Sequence, residues 1–149
     1  MGGGAYYFAK KGEQGLYKHE LISGKNWEVT GRSGFTAGMV LSADERWLIY
    51  VEEHSGQRRL CLADTSVDCS VRVVAKEAEF YMQPCFSADG RGIAWVEWDH
   101  PNMPWDGTRL MYASLSEDGD VLHVNQVAGG PTTSVFQPVF AGGSLYFIS

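Results

Sequence analysis

Two stretches of this chain lie over one another without a gap. Leu41 to Glu53 reads LSADERWLIYVEE, and Phe86 to Trp98 reads FSADGRGIAWVEW, an offset of 45 residues from Leu41 to Phe86. Ser-Ala-Asp recurs, then a turn residue and an arginine, then an alternating apolar run ending in Val-Glu. A looser copy, FAGGSLYFIS, runs from Phe140 to Ser149, and a partial one, AYYFAKKGEQGLYKHEL, from Ala5 to Leu21. The segments that follow also align: GLYKHEL, RLCLAD and RLMYASL. Gln83-Pro84 and Gln137-Pro138 stand just ahead of Phe86 and Phe140. A unit this short cannot bury its apolar faces alone, so copies must stack. A repeat of this length with four short strands is a β-propeller blade. The expected fold is all-β, a partial propeller of about three four-stranded antiparallel blades. One domain covers 1–149, with an incomplete blade at 5–30, blades at 37–76 and 81–128, and another incomplete blade at 136–149.

The pattern inside a blade is readable. Asp89-Gly90 supplies the positive φ of a tight hairpin turn. Ile93, Trp95 and Glu97 point to one face and Ala94, Val96 and Trp98 to the other, because strand side chains alternate. Both faces are mainly apolar, as expected of a sheet sandwiched between neighbours. Pro84 is expected to start the innermost strand, where its missing N–H is tolerated. No stretch shows the apolar period and caps of a helix.

These strands number about 13, a little over three blades, whereas closed rings have ~4–8. The chain is therefore expected to be a piece of a larger propeller. Its start, MGGGAYYFAKKG, has no apolar centre or small-residue cleavage site and reads as beginning in mid-domain. The net charge is −6 with Lys and Arg scattered, which argues against nucleic-acid or anionic-membrane partners. No apolar run approaches the ~18–20 residues of a membrane span. Cys61, Cys69 and Cys85 are odd in number and form no Cys-x-x-Cys pair. That speaks against a metal or redox site and for a reducing, cytoplasmic setting. Cys61 and Cys85 read as small buried hydrophobes, and Cys69, in TSVDCS, as exposed. No cofactor is implied.

The leading GGGAY, the segment FSADGRGIAWVEWDHPNMPWDGTRLMYASL, and VAGG…SVFQPVF…GSLYF together resemble the propeller of the prolyl oligopeptidase family. The branch most similar holds the acylaminoacyl peptidase and dipeptidyl aminopeptidase-like members. The resemblance implies a propeller that caps a separate α/β-hydrolase domain, restricts access to its active site and shapes the cavity for a peptide substrate. The implied partners are that hydrolase domain and that peptide. The hydrolase machinery, a Gly-x-Ser-x-Gly elbow followed by Asp and His, is not found in this sequence. GRSGF at 31–35 lacks the spacing, and His19, His54, His100 and His123 have no nucleophile partner suggested by sequence. No catalytic residue is therefore assigned.

The candidate site is the loop Trp98, Asp99, His100, Pro101, Asn102, Met103, Pro104, Trp105, Asp106, which interrupts a hairpin. The aligned blade has only EHSGQR at this place, so the extra length belongs to one blade. The loop should emerge on the same propeller face as the blade-to-blade connections. It is expected to fold on itself, Trp105 substantially buried and packed with Met103, Pro101 or Trp98, with Asp106-Gly107 closing it. A contact with the hydrolase domain or with substrate is the compatible functional reading. Glu97, Asp99 and Asp106 match no calcium-loop spacing, so no metal is assigned. A stand-alone scaffold propeller is the alternative. A glycan-acting or lyase propeller would have to draw on Glu52, Glu53, Glu97 and Asp99. Bare blade faces carrying Tyr7, Phe8, Tyr146 and Phe147 predict a possible homo-oligomer.

Overall fold

The computed structural model describes residues 4–31, 34–66 and 69–149. Four antiparallel sheets follow one another along the chain. The first holds β1 (Ala5–Phe8), β2 (Tyr17–Glu20) and β3 (Asn26–Glu28). The second holds β4 (Phe35–Leu41), β5 (Trp47–His54), β6 (Gln57–Asp64) and β7 (Val71–Ala75). The third holds β8 (Phe80–Phe86), β9 (Gly92–Trp98), β10 (Arg109–Leu115) and β11 (Val121–Gly129), and the fourth β12 (Phe136–Ala141) and β13 (Ser144–Ile148). Every strand pairs only with its sequence neighbours, so the fold is the expected all-β partial propeller.

Stacking buries the alternating faces. Leu48, Tyr50, Cys61 and Ala63 of the second sheet meet Leu16 and Val29 of the first. Trp47, Ile49, Leu60 and Leu62, on the opposite face, meet Ile93, Trp95 and Ala113 of the third. Ala94, Val96 and Leu110 meet Val135, with Phe140 and Leu145 packed alongside. Each of these cores lies between adjacent sheets, and each large apolar side chain fully buried there contributes about 1.5–3 kcal/mol. The Cys61 thiol is pushed up to about 12 by this burial and the Cys85 thiol up to about 11. Cys69, expected to be exposed, is instead half-buried, packed against the core between the first two sheets. Its Sγ donates to Ser66 O at 3.3 Å within the same turn. Its neighbours Val67 and Asp68, like Arg32 and Ser33 of GRSGF and Gly2 and Gly3 of GGGAY, lie outside the described residues.

The repeated Ser-Ala-Asp is a hydrogen-bond template for the turn. Ser87 Oγ donates to Asp89 Oδ1 at 2.6 Å, and the same carboxylate oxygen accepts the Arg91 N–H at 3.1 Å. Ser42, Asp44 and Arg46 repeat the arrangement at 2.6 and 3.2 Å. Gly90 takes φ 69° here at no cost, while its counterpart Glu45 holds φ 61°, which costs about 1 kcal/mol.

Pro84 does not start its strand; it lies inside β8. The pairing register breaks between Met82 and Cys85, and likewise between Ala37 and Val40 and between Phe136 and Val139. At each break one residue has positive φ: Gly38, Gln83 and Gln137. A bulge takes residues out of the ladder, so the N–H that proline lacks is not needed there. Gln83 Oε1 accepts the Gln137 N–H at 2.8 Å, which ties the innermost strands of the third and fourth sheets.

Candidate functional site

The segment 98–108 joins the second and third strands of the third sheet. It therefore opens on the same end as the connections between sheets, as the strand order requires. Its first residue continues β9, and Trp98 stacks on Phe80 with centroids 5.0 Å apart and planes 11° apart. Asp99 then turns into the sheet edge. Its Oδ1 accepts the Glu79 N–H at 2.8 Å and its Oδ2 accepts from Arg109 Nη2 at 2.7 Å. Burial pushes the Asp99 carboxyl up, but the Glu79 N–H and the Arg109 guanidinium outweigh it and hold the group below the ordinary carboxylate range. His100 answers in the other direction: its N–H donates to Glu79 Oε2 at 2.8 Å, and its Nδ1 lies 2.8 Å from the same oxygen. These contacts, the His100 N–H first, hold the Glu79 carboxyl low as well.

The peptide between His100 and Pro101 is cis. Beyond it the loop makes two tight turns. Asn102 N donates to Asp99 O at 3.1 Å, and Asp106 N to Met103 O at 2.9 Å. Asp106 Oδ2 accepts the Met103 N–H at 3.0 Å, so this carboxylate braces its own turn. Asn102 Nδ2 donates to Pro131 O at 2.8 Å and Ser134 Oγ to Pro104 O at 2.7 Å, fastening the loop to the connection between the third and fourth sheets. Thr108, 1% exposed, ends the segment: its Oγ1 donates to Val135 O at 2.9 Å and accepts the Val135 N–H at 2.7 Å. Between loop and connection lies an open cavity of about 370 Å³, lined in part by Asp99, Asn102, Arg109 and Gln126.

The loop is ordered, but not in the way the composition suggests. Trp105 is 68% exposed and Met103 42%, so the expected apolar cluster around Trp105 does not form. The turns are closed by hydrogen bonds, and they leave Trp105 near the tip. Trp98 is the tryptophan that packs, onto Phe80 rather than onto the loop. Phe80 also carries the Arg58 guanidinium over its ring at 4.7 Å and His100 at 5.1 Å. Arg58 in turn pairs with Glu53 at 3.0 Å. The result is a shelf of Arg58, Phe80, Trp98 and His100 on the loop face.

The acidic candidates separate into different roles. Glu97 and Asp99 converge on Arg109, whose Nη2 lies 3.2 Å from Glu97 Oε1. Trp95 Nε1 donates to the other Glu97 oxygen at 2.8 Å. The same clasp recurs one blade earlier, where Glu52 Oε2 lies 2.5 Å from Arg59. Both glutamates are buried, at 2% and 8% exposure. Arg59 and Arg109 were not singled out by sequence. The signal was there: each is the cross-strand partner of the glutamate ending the repeated Val-Glu. Among the described residues no group of His, Cys, Asp and Glu is placed to hold a metal ion. What this face offers is contact: aromatic rings, arginine and an exposed tryptophan on a braced loop.

No protein-family model matches the chain, and no curated protein does. Solved structures do. A puromycin-hydrolyzing peptidase of Mycobacterium tuberculosis is 25% identical at a TM-score of 0.80, covering 97% of this chain and 25% of its own. A puromycin hydrolase is 29% identical at a TM-score of 0.79, again covering 97% and 25%. TolB from Acinetobacter baumannii, 17% identical at 0.60 over 96% of this chain and 36% of its own, shares the fold alone. The chain thus spans about a quarter of the length of the two peptidases it is similar to.

Proposed function

We propose that this chain, a partial β-propeller of the kind carried by prolyl oligopeptidase-family peptidases, is the non-catalytic access-controlling part of such an enzyme. In this reading its loop face packs on an α/β-hydrolase domain, and the two together enclose a peptide or aminoacyl substrate. The observation that carries it is the match to two puromycin-hydrolysing peptidases along 97% of the chain at TM-scores of 0.80 and 0.79. The braced segment 98–108 adds a contact surface that a generic propeller hairpin does not need. Within the family, the acylaminoacyl and dipeptidyl aminopeptidase-like branch is the assignment. The setting proposed is the cytoplasm, where the unbridged thiols of Cys61 and Cys85 stay reduced.

The test is a peptidase assay on the parent enzyme with residues 98–107 replaced by a two-residue turn. Expected is a fall in kcat/KM with altered size selectivity while the propeller stays folded. Unchanged kinetics on short and long peptides overturn the gating role. A stand-alone binding propeller is the second reading, and the likeness in fold to TolB favours it. It predicts that no hydrolase domain copurifies or is fused. Bare blade faces make self-association a further part of the proposal.

A further inference from the structure

Three innermost strands break register at one place in the repeating unit, and the chain treats the three breaks differently. The residue with positive φ is Gly38 at 63° in β4, Gln83 at 52° in β8 and Gln137 at 52° in β12. Between the third and fourth sheets a glutamine side chain closes the gap, since Gln83 Oε1 accepts the Gln137 N–H at 2.8 Å. Between the second and third sheets the same closure would need an acceptor on residue 38. That residue is glycine, so no side chain is there to meet the Gln83 N–H, which by register and φ faces the preceding sheet as that of Gln137 does. A side chain at position 38 would set out toward the bulge of β8. Its Cβ would lie 3.9 Å from Pro84 Cδ and from Val51 Cγ2, in ordinary contact and without obstruction.

What the missing side chain leaves is a notch of about 390 Å³, lined in part by Phe35, Gly38, Val51, Phe80, Met82 and Gln83. Phe35 and Phe80 begin β4 and β8, so the notch starts at the loop-face end and runs down the inner rim to the bulges. Phe35 is half-exposed there, and Phe80 is the ring on which Trp98 and the Arg58 guanidinium stack. Arg58 is neutralised by Glu53 at 3.0 Å, and both also line the notch. The two walls belong to the two four-stranded sheets, so neither end of the chain shapes this opening.

We propose that this notch binds an aromatic side chain of an aminoacyl or peptide ligand, whose carbonyl oxygen accepts the Gln83 N–H that Gly38 leaves open. Preformed apolar clefts with a few placed polar groups are the usual form of a small-ligand site. Here Phe35, Phe80, Val51 and Met82 give a ring apolar surface to cover, and the backbone N–H fixes its orientation. The Arg58–Glu53 pair cancels its own charge, so the notch favours a neutral side chain over an ionised one. In taking the substrate as the occupant, this rests on the access-controlling reading above. The two fail separately: unchanged kinetics after replacing residues 98–107 would strike that reading and leave binding at Gln83 in place. A silent Gln83 amide would strike the notch and leave the gating test unaffected.

The experiment is a titration of the isotope-labelled chain with N-acetyl-phenylalaninamide, followed through its amide resonances by NMR. The Gln83 amide is expected to shift at millimolar probe. N-acetyl-alaninamide, which offers the same carbonyl without the ring, should bind about tenfold or more weakly. Gly38→Gln places in β4 the residue that β8 and β12 already hold at this φ, so the fold is kept. Its side chain should take the Gln83 N–H, slow the hydrogen exchange of that amide and abolish binding. Phe35→Ser removes one wall at a half-exposed position and should weaken binding about tenfold by the same titration. A Gln83 amide that does not move, or equal binding of the two probes, overturns the proposal. So does binding that survives in folded Gly38→Gln or is unaltered in Phe35→Ser.

Discussion

Thr108→Val tests how the loop is anchored, because it changes shape little and hydrogen bonding completely. The Thr108 hydroxyl serves both the N–H and the C=O of Val135, at 2.7 and 2.9 Å, and all of this is buried. Valine fills the same space but leaves both backbone groups without a partner and without water. Each such group costs about 1–3 kcal/mol, so the loss of both is expected to lower stability by about 2–6 kcal/mol. For a chain of this size that corresponds to a fall of about 6–18 °C in Tm. Thr108→Ser keeps the hydroxyl and removes one methyl, so it should cost only about 1 kcal/mol. Urea unfolding monitored by tryptophan fluorescence measures both, with an unchanged m-value showing that the unfolded state is not the cause. A Thr108→Val loss under about 0.5 kcal/mol, or a serine variant as weak as the valine one, would refute the anchoring argument.

Other expectations follow from the same geometry. Trp105→Ala should leave stability within about 0.5 kcal/mol of wild type by urea titration, because the ring is 68% exposed. Gly119→Ala should destabilise by about 2 kcal/mol or more, since a Cβ there overlaps the Trp47 ring and the residue holds φ 80°; thermal melts decide it. The Ser42 and Ser87 hydroxyls, the largest contributors, hold the Asp44 and Asp89 carboxyls below the ordinary range. A carboxyl lower in the folded state stabilises above its unfolded value, about pH 4, and that stability is lost as pH falls through the folded value. Asp89→Asn should therefore flatten part of the acid limb of a stability–pH curve, and an unchanged limb would count against the turn contributing. The purified chain should not turn over puromycin or aminoacyl anilides. Activity that survives purification and vanishes on mutating one of its own serines would contradict this.

The repeat made most of the architecture legible. An offset of 45 residues places Trp47 and Ile49 over Gly92 and Ala94, and both pairs face the following sheet. What the pattern did not carry was anything depending on a second partner. Pro84 looked like a strand start because a proline breaks a ladder, yet the bulge at Gln83 had already interrupted that ladder. Trp105 looked buried because tryptophan usually is, yet Asp106, Asn102 and Ser134 close the loop through backbone groups and need no apolar cluster. The pairing of Glu97 with Arg109 went unread because the loop separates the two in sequence, and only the register of β9 with β10 brings them together.

The register identity of successive interfaces also bears on descent. Val40, Cys85 and Val139 hold one place in the unit, and Ile49, Ala94 and Tyr146 hold another. A gene segment encoding one unit can be duplicated or lost in frame, and the flanking sheets still meet a surface of the kind they met before. Selection can then change the circumference of the ring by whole units, while a departure such as the insertion at 98–108 stays confined to the copy in which it arose.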